Sequence, residues 1–179
     1  MAAAGPSTSS QAHRPTLRLA ALADAERIRS IYNHEVLNTT STFDLVPRTL
    51  EDQQTWLTAR SGAFAAIVAG EPDGAVVGFG SLSPYKERAA YRTSVEDSVY
   101  VDRTCHGRGI GKLIVNELVH VAGLSGFHTV FARIEASGTA SRALHAACGF
   151  ELVGVEREGG RKFHRWLDVA VMQRLPTPH

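Results

Sequence analysis

Cys105-His106-Gly107-Arg108-Gly109-Ile110-Gly111-Lys112 is the stretch on which the reading of this chain turns. Upstream, Ser94 to Val101 alternates as a strand, with Val95, Val99 and Val101 on one face and Glu96, Ser98 and Tyr100 on the other. Downstream, Leu113, Ile114, Leu118 and Val121 recur at helical spacing, and Gly123 and Gly126 mark the helix end. Glycines at such a strand–helix junction let backbone approach a ligand closely. The first helical turn leaves amide donors unpaired, and the helix dipole favours an anion there. Arg108 and Lys112 add positive charge. The implied feature is a cradle for phosphate or pyrophosphate. The spacing from Gly107 to Lys112 does not fit G-x-x-x-x-G-K-S/T, and the alternation of Gly107, Gly109 and Gly111 does not fit G-x-G-x-x-G. The turn also lies far from the start of the chain, where a dinucleotide fold carries its own. These mismatches disfavour a nucleotide hydrolase.

Working outward, Leu17-Arg18-Leu19 reads as a short strand, and Ile28, Ile31, Tyr32 and Val36 predict a helix from about Asp24 to Leu37. A polar loop with Thr39, Thr40, Ser41 and Thr42 follows. Thr49 with Asp52 forms a capping box with a shorter acid, opening a helix that carries Trp56 and Leu57. Phe64 to Ala69 and Val76 to Leu82 predict a hairpin about the turn Glu71-Pro72-Asp73-Gly74. Beyond the glycine turn and its helix come a strand from Thr129 to Ile134, a helix from Ser141 to Cys148 closed by Gly149, and strands from Glu151 to Arg157 and Phe163 to Arg174. Strands outnumber helices and several neighbours are hairpins. The expected fold class is therefore α/β with a mixed, mostly antiparallel sheet flanked by helices.

Composition narrows the function. A chain of 179 residues, 44% hydrophobic and 21% charged, suits one globular domain with its own core. Lys plus Arg total 19 against 18 Asp plus Glu, a net charge of +1, which argues against nucleic-acid binding by bulk charge. The two cysteines exclude a disulfide framework and suit a reducing, cytoplasmic setting. No apolar run approaches the roughly 20 residues of a membrane helix. Residues 1–16, small, polar and proline-containing, predict a disordered tail, and residues 17–175 the folded domain.

His106-Gly107-Arg108-Gly109-Ile110-Gly111 resembles the coenzyme A pyrophosphate loop of the GNAT acetyltransferases, Gln/Arg-x-x-Gly-x-Gly/Ala, with His106 in the first place. Leu144-His145-Ala146-Ala147-Cys148-Gly149-Phe150 is similar to that superfamily's second signature, Leu-Tyr-x-x-x-Gly-Phe. Four further segments carry a narrower likeness. They are Ile31-Tyr32-Asn33-His34 with Thr39-Thr40, Tyr85 to Arg92, Val95 to Val101, and Lys162 to Asp168. Together they resemble the phosphinothricin and methionine sulfone/sulfoximine N-acetyltransferases over nearly the whole domain. The resemblance implies the GNAT fold, acetyl-CoA as co-substrate, a small amino-acid-like acceptor and a homodimer. It implies that Val99, Tyr100, Val101, the segment from His106 through Gly107, Arg108, Gly109, Ile110 and Gly111 to Lys112, then Gly138 and Ser141, bind the coenzyme. Ser137-Gly138-Thr139 stands where the family often has an asparagine.

Acetyl transfer to an amine needs a base for the ammonium and a proton for the departing thiolate. Glu96, flanked by valines on a strand, is the expected base, with a pKa raised by desolvation. His145 occupies the signature tyrosine position and is expected to protonate the thiolate or join the base relay. The resemblance implies that the loop carrying Lys86, Arg88 and Tyr91, by itself a solvated charge run, binds the acid end of the acceptor, a role that suits arginine because it pairs bidentately with carboxylate, phosphinate or sulfone oxygens. Thr39, Thr40 and Phe43 are expected on the facing wall. No metal is expected: Cys105 and His106 are adjacent and poorly placed for one tetrahedral ion, and Cys148 falls on the apolar face beside Leu144. Acetylation of a protein N-terminus or an amine antibiotic, or non-catalytic acyl-CoA sensing, are the alternatives.

Overall fold

The computed structural model describes residues 15–176. The expected tail therefore lies outside the described residues except at its end, where Thr16 already pairs with Gly70. Seven strands form one sheet: β1 (Thr16–Leu19), β2 (Ile67–Gly70), β3 (Val76–Pro84), β4 (Ser94–Val101), β5 (Thr129–Glu135), β6 (Glu151–Lys162) and β7 (Arg165–Arg174). Their order is β1-β2-β3-β4-β5-β7-β6, and every neighbouring pair is antiparallel except β4 with β5. The helices are α1 (Ala25–Asn38), α2 (Leu50–Thr58), α3 (Ile110–Leu124) and α4 (Thr139–Ala147). The mixed sheet with flanking helices is as expected.

Each face of the sheet has its own core. On one, Ile28, Ile31, Tyr32 and Val36 of α1 pack with Val68, Val76 and Phe79, joined by Trp56 of α2. On the other, Ile110, Ile114, Val115 and Leu118 of α3 meet Leu82, Val95, Val130 and Ala132. The α3 stripe is rotated from expectation: Leu113 is exposed and Ile110 buried, because adjacent apolar residues allow two readings of the same period. The Thr49–Asp52 capping box forms, with Asp52 N donating to Thr49 Oγ1 at 3.1 Å and Thr49 N to Asp52 Oδ2 at 2.9 Å. The β2–β3 hairpin turns where expected, with Gly74 N donating to Glu71 O at 2.8 Å. Phe64, however, belongs to a short 3-10 turn, Gly62–Phe64, before β2.

The last hairpin differs most from expectation. The strand expected to end at Arg157 continues as β6 to Lys162 through a register shift between Glu156 and Gly160. The chain reverses instead at Phe163 and His164, whose φ values of 49° and 60° are those of a two-residue left-handed turn. Neither residue is an ordinary turn former, so Phe163 looked like strand.

One packing detail sets the height of α3 above the sheet. A Cβ on Gly80 would lie 2.5 Å from Ile114 Cγ2 and 2.9 Å from Ser98 O. The helix thus rests on bare backbone of β3. Gly80→Ala should lower stability by about 1–3 kcal/mol, the usual cost of overpacking, and this can be read from urea denaturation. An unchanged midpoint would show that α3 rises freely from β3.

Candidate active site

Strands β4 and β5 are paired only where residues 94–96 meet 129–131, although β4 runs on to Val101 and β5 to Glu135. Where they part, a cavity of about 860 Å³ opens through the sheet. Strand alternation distributes its walls. Glu96, Arg133 and Glu135 reach it from the α1 side, and Asp97 and His145 from the α3–α4 side.

The glycine turn closes one end. Gly107 and Gly109 have φ of 78° and 77°, and no atom lies within 4 Å of a Cβ built on either, so both need glycine and both are open to a ligand. Gly109 is the N-cap of α3, and the first helical bond runs from Leu113 N to Gly109 O at 3.1 Å. The amides of Ile110, Gly111 and Lys112 therefore keep no helical acceptor. Gly111 serves packing, since a Cβ there would lie 2.9 Å from Leu144 Cδ2. His106 turns back so that Nε2 donates to Val101 O at 3.0 Å. Lys112 lines the cavity, whereas Arg108 does not: its guanidinium pairs with Glu71 at 2.6 Å on the β2–β3 turn. Val99, Val101, Gly138 and Ser141 also line the wall. Tyr100 touches it too, but its ring packs against Tyr32 and Phe79, with centroids 5.0 and 5.3 Å away. The resulting surface, open amides beside one lysine and small residues along a long slot, fits a pyrophosphate followed by a narrow acyl-bearing arm.

The Glu96 carboxyl is held above the usual range by burial, partly offset by the Arg133 charge. His145, 2% exposed, is committed at both ring nitrogens. Nδ1 lies 2.8 Å from Ser141 O, a carbonyl that only accepts, so Nδ1 carries hydrogen. Nε2 lies 3.1 Å from Asp97 Oδ2 and shares one proton with it. Burial alone would lower the His145 pKa, but the Asp97 carboxylate outweighs it and the net shift is upward. The ring reaches the cavity wall without a free nitrogen, so a direct gift of its proton to a thiolate requires breaking one of these contacts.

The facing wall is pinned from two sides. Thr40 Oγ1 donates to Glu135 Oε2 at 3.0 Å, and buried Lys162 Nζ donates to Thr42 O at 2.7 Å. Phe43 lies flat on the hairpin, with its Cε2 only 2.2 Å from where a Gly160 Cβ would stand. Thr40 and Phe43 line the cavity; Thr39 instead donates to Glu35 Oε2 at 2.8 Å. Lys86, Arg88 and Tyr91 are exposed and outside the wall, with the Lys86 ammonium over the Tyr85 and Tyr91 rings. Sequence reasoning missed Asp97, Arg133 and Glu135. Asp97 interrupts an apolar strand face, and Arg133-Ile134-Glu135 places acid and base on one side of a strand end, which were the available signals. Among the described residues, no group of three His, Cys, Asp or Glu could hold a metal ion.

A family profile described as the acetyltransferase (GNAT) domain matches residues 17–171. This chain belongs to the GNAT acetyltransferases. It is thus an acetyl-CoA-dependent N-acetyltransferase. This GNAT chain is 36% identical over 159 residues to the L-methionine sulfoximine/L-methionine sulfone acetyltransferase of Pseudomonas paraeruginosa, covering 88% of this chain and 92% of the relative. It is 39% identical over 154 residues to the phosphinothricin N-acetyltransferase of Streptomyces coelicolor, covering 84% and 90%. A crystal structure of a GNAT superfamily phosphinothricin acetyltransferase from Sinorhizobium meliloti in complex with AcCoA superposes with a TM-score of 0.86 at 38% identity, covering 91% of this chain and 89% of that one.

Two tests address this GNAT site. Gly109→Val forces a branched side chain into a left-handed backbone at the cradle. It should weaken acetyl-CoA binding in calorimetry by roughly 10–100-fold, the scale of one charge-assisted hydrogen bond. Unchanged affinity would place the pyrophosphate elsewhere. The raised native pKa of His145 means that the stabilisation from its contact with Asp97 is complete below the ordinary histidine value of about 6.5 and is lost as pH rises through the native value. Asp97→Asn should therefore melt below wild type at about pH 6, with the gap narrowing toward about pH 9. A gap constant across that range would assign Asp97 to packing alone.

Proposed function

We propose that the protein acetylates the α-amine of a small amino acid or analogue of the phosphinothricin, methionine sulfone or methionine sulfoximine type, by direct attack within a ternary complex. The observation that carries this reading is the position of Glu96. It is a desolvated carboxylate on the cavity wall where the paired strands part, with an arginine on the same face. The substrate class is supported by the two relatives named above, and the loop at residues 40–43 forms one wall of the cavity beside Glu96.

Acetyl-CoA supplies the acetyl thioester, and the residues of the chain arrange its acceptor. The open amides at the start of α3 and Lys112 hold the pyrophosphate. Backbone along Val99 and Val101, together with Gly138 and Ser141, borders the arm. Glu96 takes a proton from the acceptor ammonium, and its raised pKa makes it a stronger base for this than an exposed carboxylate. The freed amine attacks the acetyl carbonyl carbon, the carbon–sulfur bond breaks, and the second proton of the nitrogen goes to the departing thiolate, giving amide and free thiol. The thiolate needs little assistance, because thiols ionise near ~8.5. The Asp97–His145 pair keeps a shared proton at the same wall. We also propose a cytoplasmic homodimer. Support comes from the family resemblance, two free cysteines, and the exposed Leu152, Val153 and Val155 on edge strand β6. No described helix is long and apolar enough to cross a membrane.

Glu96→Gln keeps the shape of the base and removes its function. Turnover should fall by roughly 10²–10⁴-fold, the usual worth of a general base, with a smaller change in acceptor KM. The alkaline limb of the pH–rate profile should move upward, because only amine that deprotonates in solution then reacts. Wild-type turnover with an unmoved limb would remove Glu96 from the role.

A further inference from the structure

An α-amino acid brings a carboxylate as well as an amine, and within one chain Lys86, Arg88 and Tyr91 do not reach the cavity wall. The long cationic side chains that do are Arg103, Lys112 and Arg133. Arg103 has Nε and Nη2 both donating to Glu35, each at 3.0 Å. Lys112 stands in the first turn of α3, at the coenzyme end. Arg133 is placed differently. Phe131 is the register partner of Glu96, so both point to the same face, and Arg133 follows on that face two residues later. The two residues stand on facing strand edges, Arg133 two positions, roughly 6.6 Å, further along its strand than the partner of Glu96. That offset sets the two charges at different points along one wall of the gap, as an amine and its own α-carboxylate require. Arg133 Nη2 is held by Glu156, which leaves Nε and Nη1 of the five-donor guanidinium without a partner among the described residues. The side chain is 33% exposed, open to the gap.

We propose that Arg133 is the anion subsite of the acceptor pocket, taking the α-carboxylate while Glu96, across the strand gap, receives the proton of the α-ammonium. Glu156 is the positioning residue, holding the guanidinium from its far side. The negative Glu96, positive Arg133 and negative Glu156 alternate along the face, a pattern complementary to a zwitterion. A peptide N-terminus or a simple amine has no free α-carboxylate and leaves Arg133 unused, so the subsite also selects against them. This inference rests on the reading of the acceptor as an α-amino acid.

The test compares methionine sulfone with its decarboxylated amine in steady-state assays on wild type, Arg133→Gln and Arg133→Lys, with thermal melts to verify folding. Wild type should favour the amino acid. Arg133→Gln should raise the amino-acid KM by roughly 10–100-fold and lower kcat/KM for the amino acid far more than for the amine, whose smaller change reflects the Arg133 charge that Glu96 feels. Arg133→Lys should recover part of the loss, since it restores charge without the fork. Equal losses for both acceptors would make Arg133 structural and overturn the subsite. So would an unchanged preference in Arg133→Gln, or a preference that collapses in Arg103→Gln or Arg88→Ala instead. A wild-type enzyme that does not distinguish acid from amine would overturn the amino-acid reading and the subsite together. Retained wild-type preference with an inert Arg133→Gln overturns the subsite alone.

Discussion

Strands β4 and β5 share hydrogen bonds over residues 94–96 and 129–131 and then separate, leaving backbone donors and acceptors beyond that point without a strand partner. A fold tolerates this only where water, side chains or a ligand supply the missing bonds. His106 supplies one, to Val101 O. The remainder of the parted edge borders the cavity, so the same discontinuity that weakens the sheet creates its binding slot. It also explains why groups from opposite faces of the sheet meet there. Glu96 and Asp97 are adjacent in sequence and must point to opposite sides, yet the gap gives both access to one space.

Electrostatic pairing keeps that space selective. The whole chain is close to neutral, and the charged groups near the slot are individually matched: Arg103 with Glu35, Arg108 with Glu71, Arg133 with Glu156, His145 with Asp97. Buried or half-buried charges need such partners, because desolvation is costly when uncompensated. Lys112, Glu96 and Glu135 are the exceptions on the wall, with no ion-pair partner among the described residues; Glu135 is held by Thr40 and Ser137 instead, and in the proposed reading Lys112 and Glu96 meet the donor's phosphates and the acceptor's ammonium.

Local signals in the sequence were read well where physics is local. The alternation of Ser94 to Val101, the Thr49–Asp52 cap and the Pro72–Gly74 turn each depend on a few adjacent residues, and each formed as expected. The glycine turn was also legible, since φ near +77° at Gly109 demands the residue found there. What was not legible depended on distant partners. The pairing of Arg108 with Glu71, 37 positions away in sequence, is one such case. The exposed position of Lys86 and Arg88 outside the cavity of their own chain is another, because charge in a loop carries no record of which way the loop folds. The end of β6 was obscured by two glycines that bend a strand without ending it.

The placement of Phe43 has a consequence for how such an enzyme changes over time. Its ring rests on Gly160, and its loop is tied to Lys162, so the acceptor wall is shaped by the β6–β7 hairpin. The donor cradle is shaped by β4 and α3 and shares none of these contacts. Variation in the hairpin can therefore reshape the acceptor pocket while the donor machinery stays fixed. New acceptor specificities would arise more readily there than around the glycine turn, where an altered residue harms every reaction at once.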